Sequence, residues 1–159
     1  MIKNITAFVS AKPFQAGIAG VRIMPDRVAA TDSYKLIELK ADTAVAGPFT
    51  VKLPKGVKTF DSVTIKDNAA QITNKGALYA AEVIAEEFPK YEQLIPKTED
   101  AKISVTVNAE YLMQIAEAFK AHGKQGQVTL HLYDDKHKPI LCTESDGKLT
   151  ALLMPVMQK

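Results

Sequence analysis

Residues 103–122 of this 159-residue chain have the sequence ISVTVNAEYLMQIAEAFKAH, in which two patterns of apolar residues follow one another. Its first five residues alternate apolar and polar side chains, which is typical of a β-strand with one buried face. Asn108 follows as a good N-cap residue, and Glu110 lies in the first turn, where the helix dipole favours a carboxylate. Apolar residues then recur at helical spacing, at Leu112, Ile115, Ala116 and Phe119. The stretch therefore predicts a strand that leads directly into an amphipathic helix.

Three further alternating segments follow this helix, and each of them predicts a strand. They cover residues 127–133, 139–143 and 148–154. The turn signal Ser145-Asp146-Gly147 separates the last two segments. The end of the chain, residues 99–159, therefore has the predicted order strand, helix, strand, strand, strand, which is one βαβββ unit.

The same order recurs twice upstream, in a less regular form. In residues 47–98 a short helical turn is predicted at 54–60, and strands are predicted at 49–53, 63–66, 70–73 and 78–84. In residues 1–46 a helix is predicted over 2–11, and strands are predicted at 21–24, 27–31 and 35–39. The leading strand of this first unit is lost or very short. The sequence thus predicts an α+β fold of three βαβββ units, with helices on one face of antiparallel sheets.

The segment EEFPKYEQLIP, residues 86–96, differs from the units around it. Its two prolines predict an extended connector on the protein surface. Four apolar residues are expected to hold it in place, namely Phe88, Tyr91, Leu94 and Ile95. We therefore predict a domain over 1–98, made of two units with the connector at 86–98, and a half-domain over 99–159.

Composition and charge indicate a globular chain. Hydrophobic residues make up 47% of it and charged residues 24%. No apolar run is long enough to cross a membrane, and no secretory signal is visible, so we expect a cytoplasmic protein. The net charge is only +2, but it is uneven: residues 1–60 hold nine Lys and Arg against four Asp and Glu, and residues 61–159 hold eleven against fourteen. The single cysteine, Cys142, excludes a disulfide within the chain.

No residue pattern indicates catalysis or metal binding. The spacing of His122, His131 and His137 matches no common zinc motif, and phosphate-binding and nucleophile-elbow motifs are absent. The pair Asp134-Asp135 is better explained by a β-turn than by a cation site. We therefore predict a protein that is not an enzyme and that uses no cofactor and no metal.

Three short stretches together resemble the bacterial DNA sliding-clamp family, the DNA polymerase III beta subunit. VAATDSYKL at 28–36 is similar to the family pattern VATDGHRLA, and EFPKYEQLIP at 87–96 is similar to FPDYxxxIP. ALLMPVM at 151–157 is similar to the C-terminal YVVMPMRL. By this resemblance the first two units correspond to the middle domain of a clamp, and the third unit corresponds to the second half of its last domain.

The resemblance implies a processivity factor that encircles duplex DNA and tethers polymerase or repair proteins. Partners of such clamps insert a short peptide of apolar and Gln residues into a pocket. The matching positions here are Thr31, Ser33, Tyr34, Lys35, Leu36, Pro54, Val57, Met154, Pro155, Val156 and Met157. Simple core or C-terminal packing is the alternative explanation for the two methionines. Two departures bear on the pocket: Ser33-Tyr34 replaces Gly-His, and Gln158-Lys159 replaces Arg-Leu.

In the family twelve βαβββ units close around DNA, so three units per chain imply a homotetramer. Two-fold pairing of third units would complete a domain, and the other end would pair likewise. DNA contacts would be independent of sequence, with lysines facing phosphates. The candidates are Lys3, Lys12, Lys55, Lys58, Lys120 and Lys124. The resemblance leaves open whether a clamp loader is needed. The alternative function is a client-peptide-binding module, an adaptor or decoy, that never encircles DNA.

Overall fold

The computed structural model describes residues 2–66, 69–122 and 126–156. The chain divides into two compact units, Met1–Gln93 and Leu94–Lys159. The division predicted from the sequence lies slightly later, between residues 98 and 99. Each unit is an antiparallel sheet with helical or irregular segments packed against it, so the predicted α+β class is confirmed.

The first unit is built on a seven-stranded antiparallel sheet. Its strands are β1 (Val21–Met24), β2 (Arg27–Thr31), β3 (Leu36–Lys40), β4 (Phe49–Lys52), β5 (Ser62–Lys66), β6 (Ala69–Asn74) and β7 (Ala77–Ile84). They follow the order β3-β2-β1-β4-β7-β6-β5 across the sheet. The pairing of β1 with β4 joins the strands of the first predicted βαβββ unit to those of the second.

The leading strand of the first βαβββ unit is reduced to one residue. Ile2 forms an isolated antiparallel bridge with Phe60, in which Ile2 N donates to Phe60 O at 2.7 Å and Phe60 N donates to Ile2 O at 3.1 Å. This bridge lies just before β5, while β4, the leading strand of the second predicted βαβββ unit, lies beside β1. In the compact unit Met1–Gln93, each of the two halves therefore places its leading strand beside a strand of the other half.

The predicted helices at 2–11 and 54–60 are wrong. A 3₁₀ helix at Ile5–Phe8 is all that forms in the first segment, and it is preceded by Asn4 in a left-handed conformation (φ 57°) without a side-chain cap. β-Branched residues are frequent there, and they lower helix propensity. In the second segment Gly56 has a φ of 88°, which no helix accepts. A further 3₁₀ helix, Ala16–Ala19, was not predicted.

Alternate residues of the strands form the core on one face of the first sheet. Ile23 lies opposite Val28, Val21 lies opposite Val51, and Val51 lies opposite Val83. The segments that replace the predicted helices cover this face with buried side chains, namely Ile2, Ile5, Val57 and Phe60. The hydrophobic face thus has the predicted position even though its cover is not α-helical.

The connector covers the other face of the sheet near β2. Phe88 and Tyr91 are buried against Ala29, and their rings meet edge to face with centroids 5.9 Å apart. The Tyr91 hydroxyl donates to Glu38 Oε2 on β3 at 2.6 Å. The prediction that Phe88 and Tyr91 hold the connector is confirmed. The same prediction is wrong for two further residues of the segment, because Leu94 and Ile95 are exposed.

Replacing Tyr91 with phenylalanine is expected to change how stability depends on alkaline pH. Burial, together with the hydrogen bond to the Glu38 carboxylate, raises the pKa of Tyr91 well above its usual value near 10. In the unfolded chain this phenol loses its proton near pH 10, whereas the folded protein keeps it. The resulting stabilisation is complete below pH 10 and declines as the pH rises further.

Urea unfolding at pH 7, 9 and 11 measures this effect. Tyr91→Phe should cost about 1.5–3 kcal/mol at pH 7, because a hydrogen bond to a charged group is lost. It should also lose less stability than the parent between pH 9 and 11. Tyr34→Phe is the control, since Tyr34 is 97% exposed. An identical alkaline loss in the parent and in Tyr91→Phe would contradict the prediction.

In its described residues the second unit has a short 3₁₀ helix at Thr98–Asp100 and one α-helix on a three-stranded antiparallel sheet. The helix α1 (Ala109–His122) precedes β8 (Thr129–His131), β9 (Ile140–Thr143) and β10 (Thr150–Leu153), in the order β10-β9-β8. The predicted cap is confirmed, since Glu110 N donates to Asn108 Oδ1 at 2.8 Å. The strand predicted at 103–107 is reduced to a single bridge between Val107 and Pro155.

The core of the second unit is small. Its buried members are Phe119, Ile140, Cys142 and Leu153, with half-buried valines at its margin. Burial raises the pKa of the Cys142 thiol, whose Sγ faces the carbonyl of Ile140 at 3.9 Å. Many large apolar side chains of this unit remain exposed, among them Tyr111, Met113, Leu130, Leu132, Leu152 and Met154.

Candidate functional site

The turn between β2 and β3 carries five of the predicted pocket residues. Asp32 organises it: one carboxylate oxygen accepts from the backbone N–H groups of Tyr34 and Lys35, both at 3.0 Å, and the other pairs with the Lys35 ammonium. These interactions hold the pKa of Asp32 at about 2. The Thr31 hydroxyl closes the turn by donating to Lys35 O at 2.9 Å and accepting from Ser33 N at 3.1 Å.

Ser33 and Tyr34 stand where the family pattern has Gly-His. Ser33 has a φ of 78°, a conformation that glycine adopts without strain. The backbone of this turn thus keeps the shape that the family's glycine would favour. The ring of Tyr34 is 97% exposed, so it projects from the turn as an uncovered aromatic surface.

The remaining pocket candidates of the first unit differ in how far their side chains are exposed to solvent. The ammonium group of Lys35 lies 5.6 Å from the centroid of the Phe8 ring, so the lysine also contacts the 3₁₀ helix. Leu36 is half-buried beside the Phe88 and Tyr91 cluster. Pro54 is half-exposed, whereas Val57 is buried in the core with only 6% of its surface exposed. Val57 N donates to Pro54 O at 3.1 Å, so these two residues share one turn.

In the second unit the pocket candidates lie at the end of β10. Met154 is 58% exposed and Val156 is 48% exposed, and Pro155 between them forms the bridge to Val107. Met157 lies outside the described residues. Leu152 is 61% exposed and lies two residues before Met154, so the two side chains project from the same face. Leu152 was not among the predicted pocket residues. Because alternate residues of a strand lie on the same face, its position two residues before Met154 could have identified it.

An apolar groove of about 470 Å³ runs between α1 and β10 in this unit. The helix contributes Tyr111, Gln114, Ile115, Ala118 and Phe119, and the strand side contributes residues 149–154. Met154 therefore lies at the margin of a concave apolar surface. A flexible thioether at such a position adapts readily to an apolar ligand.

The predicted DNA-facing lysines are exposed where the structure describes them. Lys3, Lys55 and Lys58 lie on the segments that cover the core face of the first sheet, and the Ile2–Phe60 bridge brings Lys3 next to the 54–60 segment. Lys12 lies between the two 3₁₀ helices, and Lys120 lies in the last turn of α1. None of these five forms an ion pair with any described residue. Lys124 lies outside the described residues.

Over residues 2–66, 69–122 and 126–156, no three His, Cys, Asp or Glu side chains come together to hold a metal ion. No helix in these ranges is long and apolar enough to span a membrane. His131 has a side-chain contact on the sheet of the second unit, where its Nε2 lies 2.8 Å from Thr143 Oγ1.

No protein-family model and no curated protein matches the sequence. Solved structures do match, and they define the class: the chain has the fold of bacterial DNA polymerase III beta sliding clamps. The beta chain from Streptococcus pneumoniae superposes with a TM-score of 0.68 over 97% of this chain, at 15% identity. The Helicobacter pylori beta clamp bound to a DNA ligase peptide gives a TM-score of 0.63 over 98% of this chain, at 16% identity.

The resemblance to the clamp fold predicted from the three short stretches is therefore confirmed. The DNA polymerase III subunit beta of Pseudomonas aeruginosa gives a similar result, with a TM-score of 0.64 over 98% of this chain at 13% identity. This chain spans about half the length of these structures: 46% of the S. pneumoniae chain and 48% of the other two.

Proposed function

We propose that this protein is a sliding-clamp-like processivity factor that encircles duplex DNA as a homo-oligomer and tethers polymerase or repair proteins. The observation that carries the proposal is the clamp fold over 97% of the chain. In this function the protein is not an enzyme and needs neither cofactor nor metal. DNA is held topologically, so a net charge of only +2 is sufficient.

Client proteins would bind through a short apolar peptide. Tyr34 and Leu36 on the first unit, and Leu152, Met154 and Val156 on the second, provide apolar surface for it. The Lys35 ammonium and the turn backbone provide polar groups at the first of these surfaces. The structurally similar H. pylori clamp was solved with a bound DNA ligase peptide, which supports a peptide partner for this protein as well.

The DNA side of the ring would be the face that carries Lys3, Lys55 and Lys58. Exposed lysines without protein partners are available to neutralise phosphates, and such contacts carry no sequence information. A chain with three βαβββ units would need four copies to match the ring of a full-length clamp. We therefore propose a homotetramer, with or without a loader that opens it.

Retention on circular DNA tests the ring directly. The protein is assembled with nicked circular DNA or with the same DNA linearised, and each mixture is then washed at high salt. Salt weakens lysine–phosphate contacts strongly but leaves a topological link intact. We expect retention on the circle and loss from the linear form. Equal loss from both would contradict the ring.

Peptide binding tests the client site independently of DNA. A labelled synthetic peptide of apolar residues with one Gln should bind the parent protein, as measured by fluorescence anisotropy. Met154→Glu should weaken binding at least about tenfold, because a charge would replace an apolar contact. Leu78→Glu is the control, since Leu78 on β7 is similarly exposed and is not one of the candidate pocket residues. Equal affinity in both variants would contradict this assignment.

The low net charge favours one alternative, a client-peptide-binding module that does not encircle DNA. Such an adaptor or decoy would use the same peptide surfaces. It would bind the peptide, lose Met154-dependent affinity as above, and leave circular and linear DNA equally fast. The two measurements together therefore distinguish the ring from the module.

A further inference from the structure

Within the described ranges 94–122 and 126–156 of the second unit, the 103–107 segment has a strand partner at one edge only. It is joined to the end of β10 by the Val107–Pro155 bridge and by a hydrogen bond of 2.7 Å from Val156 N to Thr106 O. Backbone groups of successive strand residues point to opposite edges. The N–H and C=O of Val105 therefore point away from β10, and they have no hydrogen-bond partner among the described residues.

The first unit contains the equivalent segment with both edges paired. There β4 leads into the second half and pairs on one edge with its last strand, β7, through Val51 and Val83. On its other edge Val51 pairs with Val21 of β1, the first sheet strand of the other half. The 103–107 segment lies beside β10, the counterpart of β7, and no other strand of the described residues takes the place of β1 beside it.

By position in the chain, the second unit's own equivalent of β1 is β8, because it is the first strand after the helix. β8 lies at the far edge of the sheet, with β9 and β10 between it and the 103–107 segment. It cannot reach that segment in the same molecule. As far as the structure describes it, each copy of the unit therefore has two open edges, one on the 103–107 segment and one on β8, and the equivalent edges pair with each other in the first unit.

We infer that the second unit is completed by a second copy of itself: the 103–107 segment of each copy pairs antiparallel with β8 of the other, about a two-fold axis. Such an interface is self-complementary, since each copy contributes the same two elements. The inference specifies one of the contacts of the proposed ring, and its biological role rests on that proposed function.

The side chains of the two elements fit this pairing. Neither 103–107 nor 128–131 contains a Lys, Arg, Asp, Glu or Pro. Natural edge strands are usually protected against pairing by such residues. The edge strands of the first sheet do carry charges, with Lys40 and Glu38 on β3 and Lys66 on β5. The open edges of the second unit thus lack the protection that those of the first unit have.

Apolar burial supports the same occupant. Val105, Val107 and Val128 are half-buried at the margin of the core, and Leu130 is 43% exposed. Leu130 lies opposite Cys142 and therefore on the helix-bearing face, where a strand from a second copy would cover it. A unit with so few buried residues is only marginally stable alone, and completing its core would increase the apolar area removed from water.

Cysteine cross-linking of the full chain tests the pairing. Ser104→Cys is combined with Thr129→Cys or with His131→Cys, which covers two registers that place both side chains on the outer face. A short bismaleimide that spans the 7–8 Å of diagonal neighbours, and no more, is added to the folded protein. Within one molecule the two positions are three strand spacings apart, about 14 Å. We expect a covalent dimer from a double variant and none from any single variant.

Leu130→Lys provides a second measurement, by light scattering. It should halve the mass of the assembly, while Leu78→Lys, on an exposed position of β7, should leave the mass unchanged. Circular dichroism verifies that both variants are folded. An unchanged mass in Leu130→Lys, or the absence of double-variant cross-links, would overturn the interface.

The cross-linking and DNA-retention experiments distinguish a failure of this interface from a failure of the proposed function. A chain that cross-links as expected but leaves circular DNA as fast as linear DNA would overturn the ring alone. A chain that is retained on circular DNA without these cross-links would overturn this interface alone.

Discussion

Replacing Gly17 with alanine is expected to release the connector from the first unit. A methyl group on Gly17 would lie 2.2 Å from the carbonyl oxygen of Glu87 and 2.9 Å from its carbonyl carbon. Both are backbone atoms, which cannot move away as the end of a side chain can. Gly17 N also donates to Glu86 Oε2 at 3.0 Å, so the same shift breaks this hydrogen bond.

The expected cost is about 1–3 kcal/mol of unfolding free energy, as for other overpacked sites. The released connector should also be cut by trypsin after Lys90 faster than in the parent protein, as measured by mass spectrometry of timed digests. Gly47→Ala is a matched control, because nothing lies within 4 Å of the methyl group it adds. Equal cleavage rates in the two variants would show that Glu87 adjusts without releasing the connector.

Phe119→Ala is expected to unfold the second unit. Phe119 is 1% exposed and is the largest side chain of a core whose other buried members are Ile140, Cys142 and Leu153. Truncating a buried phenylalanine costs about 3–5 kcal/mol. A unit with so small a core has little stability to lose, so α1 should lose its protection against hydrogen exchange.

Hydrogen exchange with mass spectrometry separates the two units in one experiment. Peptides from β1 to β7 should keep their protection in Phe119→Ala, while peptides from α1 and β9 should lose it. Met113→Ala is the control on the same helix, since Met113 is 55% exposed and alanine favours the helix. Unchanged protection of α1 in Phe119→Ala would mean that other contacts hold the helix in place.

The strands of the first unit were predictable, and its helical segments were not. Alternation of apolar residues along β1 and β5 indicates directly which face of each strand is buried. The apolar residues Ile5, Phe8 and Val9 have helical spacing, but a single 3₁₀ turn followed by extended chain buries the same face. The left-handed backbone of Asn4, which directly precedes the 3₁₀ helix, leaves no signal in hydrophobic spacing.

In the second unit the helix and its cap were predictable because both depend on local sequence. The strand at 103–107 depends on a partner at each edge, and alternation in one chain cannot report whether that partner is present. The candidate site shows the same division. The similarity of residues 28–36 to the family pattern identified the 31–36 turn. The burial of Val57 depends on core residues that are distant in sequence, so it could not be predicted from the residues around Val57.

The burial of Cys142 makes the second unit a reporter of its own opening. The side chain is fully buried and its thiol pKa is raised, so a thiol reagent in solution reacts with it only after the core separates. Since the chain has a single cysteine, the labelling rate measures local opening of this unit without interference from the other. Any event that adds a strand to the sheet around Cys142 should lower its labelling rate.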